Sequence, residues 1–229
     1  MKFTPNLTRN EMRRGWFALF ASLIVLPLVL QGVNSLLPVP LSNGKLNFIF
    51  YFQNYILVLV VFHRFLKQSM LTALTRPFAT IWCAAVGYLG QRAMGELLTV
   101  LLFFAWPGFV NFNDAGIIAM LGEDFALMAA GTVLLVPLAE ECLYRGLLFR
   151  GLYDRSPVAA WLVSICAFAA IHVIGYIGTA SPMQLLLCFI QYLPAGLFLC
   201  YCYQRSGTIL SPILMHTIVN AIGVYTAMR

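Results

Sequence analysis

Two adjacent glutamates and an arginine interrupt a long apolar stretch of this 229-residue chain. The stretch covers residues 125–149, and its segment PLAEECLYRG contains Glu140, Glu141 and Arg145. If it forms a membrane helix, the three side chains lie at hydrocarbon depth, where ionisable groups are costly and usually functional. Glu141 and Arg145 are four residues apart and can pair on one helix face, whereas Glu140 points about 100° away. The alternative is a purely structural polar clamp between helices.

Two later apolar stretches also contain polar residues at one-turn spacing. His172 follows Phe168 by four residues, and Asn220 follows His216 by four, so each pair shares a helix face. A single histidine in an apolar helix is usually a satisfied core residue. Here three separate stretches each bring polar groups toward middle depth, and this convergence indicates a shared site.

These residue types suit the activation of water and hydrolysis. A carboxylate in a water-poor pocket can take a proton from water, and a neutral histidine opposite can hold that water or share the proton. His216 and Asn220 together could stabilise a developing oxyanion. Arg145 would keep Glu141 ionised and fix its side-chain conformation.

The composition predicts the kind of fold that must position these groups. The chain is 61% hydrophobic and 10% charged, whereas a soluble domain has about 25% charged residues. We therefore expect an all-α, polytopic bundle of transmembrane helices that forms one membrane-embedded domain over residues 1–229. Residues 125–225 form its expected catalytic core.

Seven spans fit the apolar pattern, within a range of six to eight. The expected spans are approximately 16–36, 46–62, 78–106, 125–149, 157–177, 183–203 and 208–227. Pro137 lacks a backbone donor and its ring clashes with a carbonyl one turn back, which predicts a kink or a widened turn beside Glu140. In the third span, Arg92 and Glu96 are expected to pair with each other or with a neighbouring helix. A break of that span at Gly90 is the alternative.

The distribution of positive charge predicts the orientation. With the amino terminus inside, ten basic residues fall on the cytoplasmic side and only two, Lys45 and Arg229, on the other. The ten are Lys2, Arg9, Arg13, Arg14, Arg64, Lys67, Arg76, Arg150, Arg155 and Arg205. The positive-inside rule therefore favours a cytoplasmic amino terminus, with the acidic loop 107–124 outside.

Other classes of partner and site find little support in the sequence. The basic residues sit at the ends of apolar stretches rather than in a nucleic-acid-binding patch, so no nucleic acid partner is expected. The six cysteines lack CxxC spacing and are expected to be free thiols. The first apolar stretch has no small-residue cleavage site and is interpreted as a retained anchor.

The polar residues, taken in order, resemble the motifs of a known family. The set has the form EExxxR, then FxxxH, then HxxxN, on successive spans, and it resembles the CPBP family of CAAX proteases and bacteriocin-processing enzymes. This family, also called Abi proteins, includes the Rce1-type glutamic intramembrane proteases. The resemblance covers residues 125–225 and rests on Glu140, Glu141, Arg145, Phe168, His172, His216 and Asn220. Tyr144 stands where the family often has Phe.

The resemblance implies a mechanism as well as a fold. It implies a helix bundle around a cavity open toward the cytosol and the membrane, with Glu140 as general base and His172 on the nucleophilic water. It further implies Glu141 and Arg145 in support. His216 and Asn220 would form the oxyanion pair, and Phe168 and Tyr144 would contact the substrate. No metal and no cofactor are expected.

The expected function follows from this resemblance. The chain would be an intramembrane endopeptidase, its partners would be membrane lipids and a peptide or membrane-protein substrate, and its location a prokaryotic plasma membrane. Three alternatives stay open. They are a zinc site, disfavoured by the absence of HExxH and by Arg145; a non-catalytic self-immunity or partner-binding protein; and a transporter with a proton relay.

Overall fold

The computed structural model describes residues 7–228, so Lys2 and Arg229, which entered the charge count, lie outside the described residues. Within 7–228 the chain forms nine helices and no β-strand. The helices are α1 (Arg9–Ser35), α2 (Asn43–Val61), α3 (His63–Thr75), α4 (Pro77–Ala105), α5 (Phe112–Glu123), α6 (Phe125–Tyr153), α7 (Pro157–Ile174), α8 (Pro182–Ser206) and α9 (Leu210–Ala227). The predicted all-α fold is confirmed.

Six of these helices are long and apolar enough to cross a membrane, namely α1, α2, α6, α7, α8 and α9. This number lies within the predicted range, and the polytopic bundle is confirmed. Helix α4 is less apolar and is not one of the six, yet its 29 residues extend about 43 Å at 1.5 Å per residue. It continues through Gly90 without a break, so the alternative of two segments does not hold.

Local sequence signals explain most helix starts. Ser156 precedes Pro157 and its hydroxyl accepts a hydrogen bond from the backbone N–H of Ala159, as expected for the start of α7. Ser181 starts α8 through a capping box with Gln184. Ser211, which also precedes a proline, does not cap a helix, because α9 already begins at Leu210 and the Ser211 hydroxyl donates to the carbonyl of Thr80 on α4.

Helix α6 is widened on both sides of its glutamate pair. Gly131–Leu135 is a π-helical turn that ends two residues before Pro137, and Cys142–Phe149 is π-helical after Glu141. Proline cannot donate a backbone hydrogen bond and crowds the preceding turn, and an extra residue in that turn relieves the clash. The predicted widened turn beside Glu140 is therefore confirmed. Pro27 in α1 follows a similar turn, Ala21–Val25.

The bundle has two chemically distinct ends. At the first, Glu11 of α1 accepts a hydrogen bond from the backbone of Phe65 in α3, at 2.9 Å, and Thr208 before α9 donates to the backbone of Ser69, at 2.8 Å. We call this the basic end. It comprises α3, the starts of α1, α4, α7 and α9, and the ends of α2, α6 and α8.

The opposite end is built around α5. The backbone N–H of Gly44 donates to Glu123 at 3.1 Å, and Ser42 is hydrogen-bonded to Asp124. Asn111, which caps α5, donates to Gln191 of α8 at 2.8 Å. We call this the acidic end. It contains α5, the loops at 36–42 and 175–181, and the helix termini that adjoin them.

Small residues allow α4 to approach its neighbours closely. A Cβ atom added at Gly87 would overlap Sγ of Cys202 on α8 and would lie 2.9 Å from Sδ of Met215 on α9. A Cβ atom at Gly95, on the same helix, would meet only Nε2 of Gln91, at 3.6 Å. Gly87 therefore marks the place where three helices meet without room for a side chain.

We expect Gly87→Ala to destabilise the protein, because overpacking a helix junction costs about 1–3 kcal/mol. The matched control is Gly95→Ala on the same helix, which has space and gains up to about 1 kcal/mol of helix propensity. Thermal unfolding in detergent, followed by intrinsic fluorescence, measures both. A Gly87→Ala midpoint at or above that of Gly95→Ala would contradict the packing described.

Candidate active site

A fully buried ion pair lies behind the site. Nη1 of Arg145 is 3.1 Å from Oε1 of Glu141, and neither side chain is exposed. The second terminal nitrogen of Arg145 donates to the backbone carbonyl of Gly196 on α8, at 3.2 Å. Its guanidinium carbon lies 4.4 Å from the centre of the Phe168 ring on α7, a favourable contact for a cation. Arg145 thus joins three helices through one charged group.

His216 of α9 lies between the two glutamates. Its Nδ1 is 2.9 Å from Oε1 of Glu141, and its Nε2 is 3.9 Å from Oε2 of Glu140. A hydrogen bond to a buried carboxylate assigns a proton to Nδ1 and fixes the ring orientation. The sequence predicted only Arg145 as a partner of Glu141. The structure places His216 on the same carboxylate oxygen.

Glu140 faces the interior cavity rather than the protein core. Its side chain is 20% exposed, whereas that of Glu141 is fully buried. Within residues 7–228, Oε2 of Glu140 makes no hydrogen bond. Two neighbouring carboxylates therefore occupy different environments, one held from several sides and one facing the cavity.

His172 has a defined tautomer. Its Nδ1 is 2.8 Å from the carbonyl oxygen of Phe168, one turn earlier on α7, so Nδ1 carries the proton and Nε2 presents a lone pair. The Phe168 ring lies 4.8 Å from the His172 ring and 5.7 Å from the His216 ring. The Phe168 ring thus lies between His172 and His216. The two histidines meet here even though His172 is further from the start of α7 than His216 is from the start of α9.

A tyrosine that the sequence did not indicate stacks on His172. The rings of Tyr192 and His172 are 4.0 Å apart at 22°. The Tyr192 hydroxyl donates to Asp114 at 2.6 Å and accepts from Asn113 at 3.0 Å. Asp114 faces the cavity, and the surrounding protein raises its pKa by desolvation, while the Tyr192 and Asn113 hydrogen bonds lower it. Helix α5 thereby holds the ring that packs against His172.

The spacing of Tyr192 contained a usable signal. Tyr192 and Gly196 are four residues apart on α8, so both face the site, one against His172 and the other against Arg145. The same face of α8 therefore touches both predicted polar clusters. A search of the sequence for polar or small residues four positions apart could have identified Tyr192.

Asn220 is oriented by the widened turn of α6. Its amide donates to the carbonyl of Thr132 at 2.8 Å, and a primary amide has a second N–H to offer. Thr132 lies in the turn Gly131–Leu135 that precedes Pro137. The sequence did not indicate this contact. The irregular helix next to Glu140 thus also orients Asn220.

These side chains surround one cavity of about 1310 Å³. Of the eight residues predicted from the sequence, six line it, and Glu141 and Arg145 lie behind its wall. The six are Glu140, Tyr144, Phe168, His172, His216 and Asn220. Tyr144 is 3% exposed, with its ring 6.0 Å from that of Phe168. Arg92 and Glu96 also line the cavity and are paired with each other.

The arrangement suits hydrolysis. Glu140 supplies a carboxylate to the cavity, and His172 supplies an imidazole lone pair. Asn220 and His216 supply an amide N–H and a second imidazole to the same cavity. These are the parts required to activate water and to stabilise an oxyanion. Among the residues that the structure describes, no group of three or more His, Cys, Asp or Glu side chains is arranged to hold a metal ion.

Comparison with protein families gives one match. Residues 122–222 match the model of the family described as type II CAAX prenyl endopeptidase Rce1-like. Comparison with curated proteins and with solved structures gives no match. The matched range contains all eight residues predicted for the site, and it supports a protease of the CAAX type in an integral membrane protein. The resemblance that the motifs indicated is thus confirmed for residues 122–222, which are similar to the Rce1-like family.

Proposed function

We propose that this chain is a metal-independent intramembrane endopeptidase that hydrolyses a peptide bond near the end of a membrane-associated peptide or protein. The observation that carries the proposal is the placement of Glu140, His172, His216 and Asn220 around one cavity within the Rce1-like segment. Its proposed location is a prokaryotic plasma membrane, and its partners are lipids and the peptide substrate.

The first step is the activation of water. Glu140 accepts a proton from the water molecule as the water oxygen attacks the carbonyl carbon of the substrate. The lone pair on Nε2 of His172 accepts a hydrogen bond from the same water, which is consistent with the proton that Nδ1 donates to Phe168. General base catalysis of this kind contributes about 10²–10⁴-fold to a rate.

The tetrahedral intermediate carries a negative charge that the opposite wall stabilises. The free N–H of Asn220 donates to the oxyanion while its other N–H stays on Thr132. His216 in its protonated form donates from Nε2, because Nδ1 is engaged with Glu141. Loss of one such donor costs about 10²–10³-fold in other enzymes.

Collapse of the intermediate completes the reaction. The carbon–nitrogen bond breaks, the proton held by Glu140 passes to the leaving amine nitrogen, and the products are a carboxylic acid and an amine. Phe168 and Tyr144 provide aromatic walls for the substrate. Glu141 and Arg145 do not line the cavity and act by holding His216 and the helices in place.

Glu140→Gln is expected to reduce kcat at least about 10²-fold, because glutamine has a similar shape but cannot take a proton. The measurement is cleavage of a library of lipid-anchored peptides by purified protein in liposomes, read by mass spectrometry. The matched control is Glu123→Gln, another cavity carboxylate, which accepts a hydrogen bond from the backbone of Gly44 and should leave kcat unchanged.

Equal cleavage by the wild type and Glu140→Gln would contradict the assigned role of Glu140. No cleavage of any peptide by the wild type, with a cellular phenotype that survives Glu140→Gln, would instead favour a non-catalytic self-immunity or partner-binding protein.

Arg145→Met should lower the thermal midpoint strongly, because removing one partner of a buried ion pair costs about 3–5 kcal/mol. The double variant Glu141→Gln/Arg145→Met removes both charges and should recover part of the lost midpoint without recovering cleavage, since His216 loses its carboxylate partner. Thermal unfolding and peptide cleavage are measured in parallel. An unchanged midpoint for Arg145→Met alone would show that the ion pair does not support the fold.

A further inference from the structure

The basic residues mark one end of the bundle. Nine described basic residues lie at the basic end, and Lys45 alone lies at the acidic end. The nine are Arg9, Arg13, Arg14, Arg64, Lys67, Arg76, Arg150, Arg155 and Arg205. The remaining two described cations, Arg92 and Arg145, are internal to α4 and α6. Under the positive-inside rule, an imbalance of this size places the basic end in the cytoplasm.

The cavity extends toward the other end. On α7 its lining begins only at Phe168, so it uses the part of the helix remote from Pro157. On α9 the lining begins at Met215 and continues to Ala227, the last residue of the helix. Most of α5, which forms the acidic end, also lines the cavity. The cavity therefore occupies the half of the bundle at the acidic end.

Between the site and the basic end the protein is solidly packed. The largest fully buried side chains there are aromatic or branched and belong to one apolar cluster. They are Phe62, Phe65, Leu147, Phe149, Tyr203 and Ile209, each at 0% exposure. Fully buried side chains packed in one cluster leave no passage for a peptide. The path from the catalytic groups to the basic end is closed.

From these observations we infer that the active site opens on the outer face of the membrane, opposite the basic end, and that its substrate is a peptide segment presented on that face. The identity of the cleaved segment rests on the proposed function, whereas the direction of opening does not. The two expectations from the sequence, a cytoplasmic basic end and a cytoplasmic opening, are incompatible in this fold, because the cavity and the basic residues occupy opposite ends.

Cysteine labelling in intact cells tests the orientation without any substrate. Gly122→Cys lies at the acidic end and has no atoms within 4 Å of the added Cβ; Lys67→Cys is its matched control, exposed at the basic end. Both variants are made with Cys166→Ser, because Cys166 is the exposed native cysteine and the other five are buried. A membrane-impermeant maleimide should label Gly122→Cys in intact cells and Lys67→Cys only after permeabilisation.

The opposite pattern, or labelling of both variants in intact cells, would overturn the inference. Cleavage is then compared for one lipid-anchored peptide added to the outside of cells and for the same peptide expressed inside. Outside labelling of Gly122→Cys with cleavage only of the internal peptide would also overturn it. Outside labelling without cleavage of either peptide would count against the proposed function and leave the orientation supported.

Discussion

The structure depends on the burial of a guanidinium and a carboxylate at membrane depth. Charges in such surroundings are tolerated only when paired and hydrogen-bonded, and Arg145 meets this requirement through Glu141, the carbonyl of Gly196 and the face of Phe168. The contacts with Gly196 and Phe168 join α6 to α8 and to α7. The ion pair therefore sets the relative positions of α6, α7 and α8, and through His216 it sets that of α9.

This constraint also separates the two glutamates. Arg145 and His216 both hold Oε1 of Glu141 inside the protein, whereas Glu140 faces the cavity. The widened turns in α6 contribute to the separation, because the turn at Gly131–Leu135 accommodates Pro137 and also presents the Thr132 carbonyl that orients Asn220. A sequence feature that breaks regular helical geometry is thus part of the site.

The sequence predicted much of this arrangement because its signals are local. Helix-period spacing was sufficient for the Glu141–Arg145 pair, the helical class follows from apolar length, and the chemistry of proline predicted the widened turn. The contacts of Tyr192 with His172 and of Asn220 with Thr132 depend on how distant helices pack, which no spacing within one helix reveals. The extent of the cavity likewise depends on which halves of the helices are filled by packed side chains such as Phe62, Phe149 and Tyr203.

The central claim is that Glu140 activates water and does not itself attack the substrate. A single turnover in H₂¹⁸O tests it most directly, with mass spectrometry of both the product and the protein segment that contains Glu140. The account predicts one ¹⁸O atom in the new carboxylate of the product and none in Glu140. Transfer of ¹⁸O into Glu140 during that first turnover would reveal a covalent acyl intermediate and contradict the account.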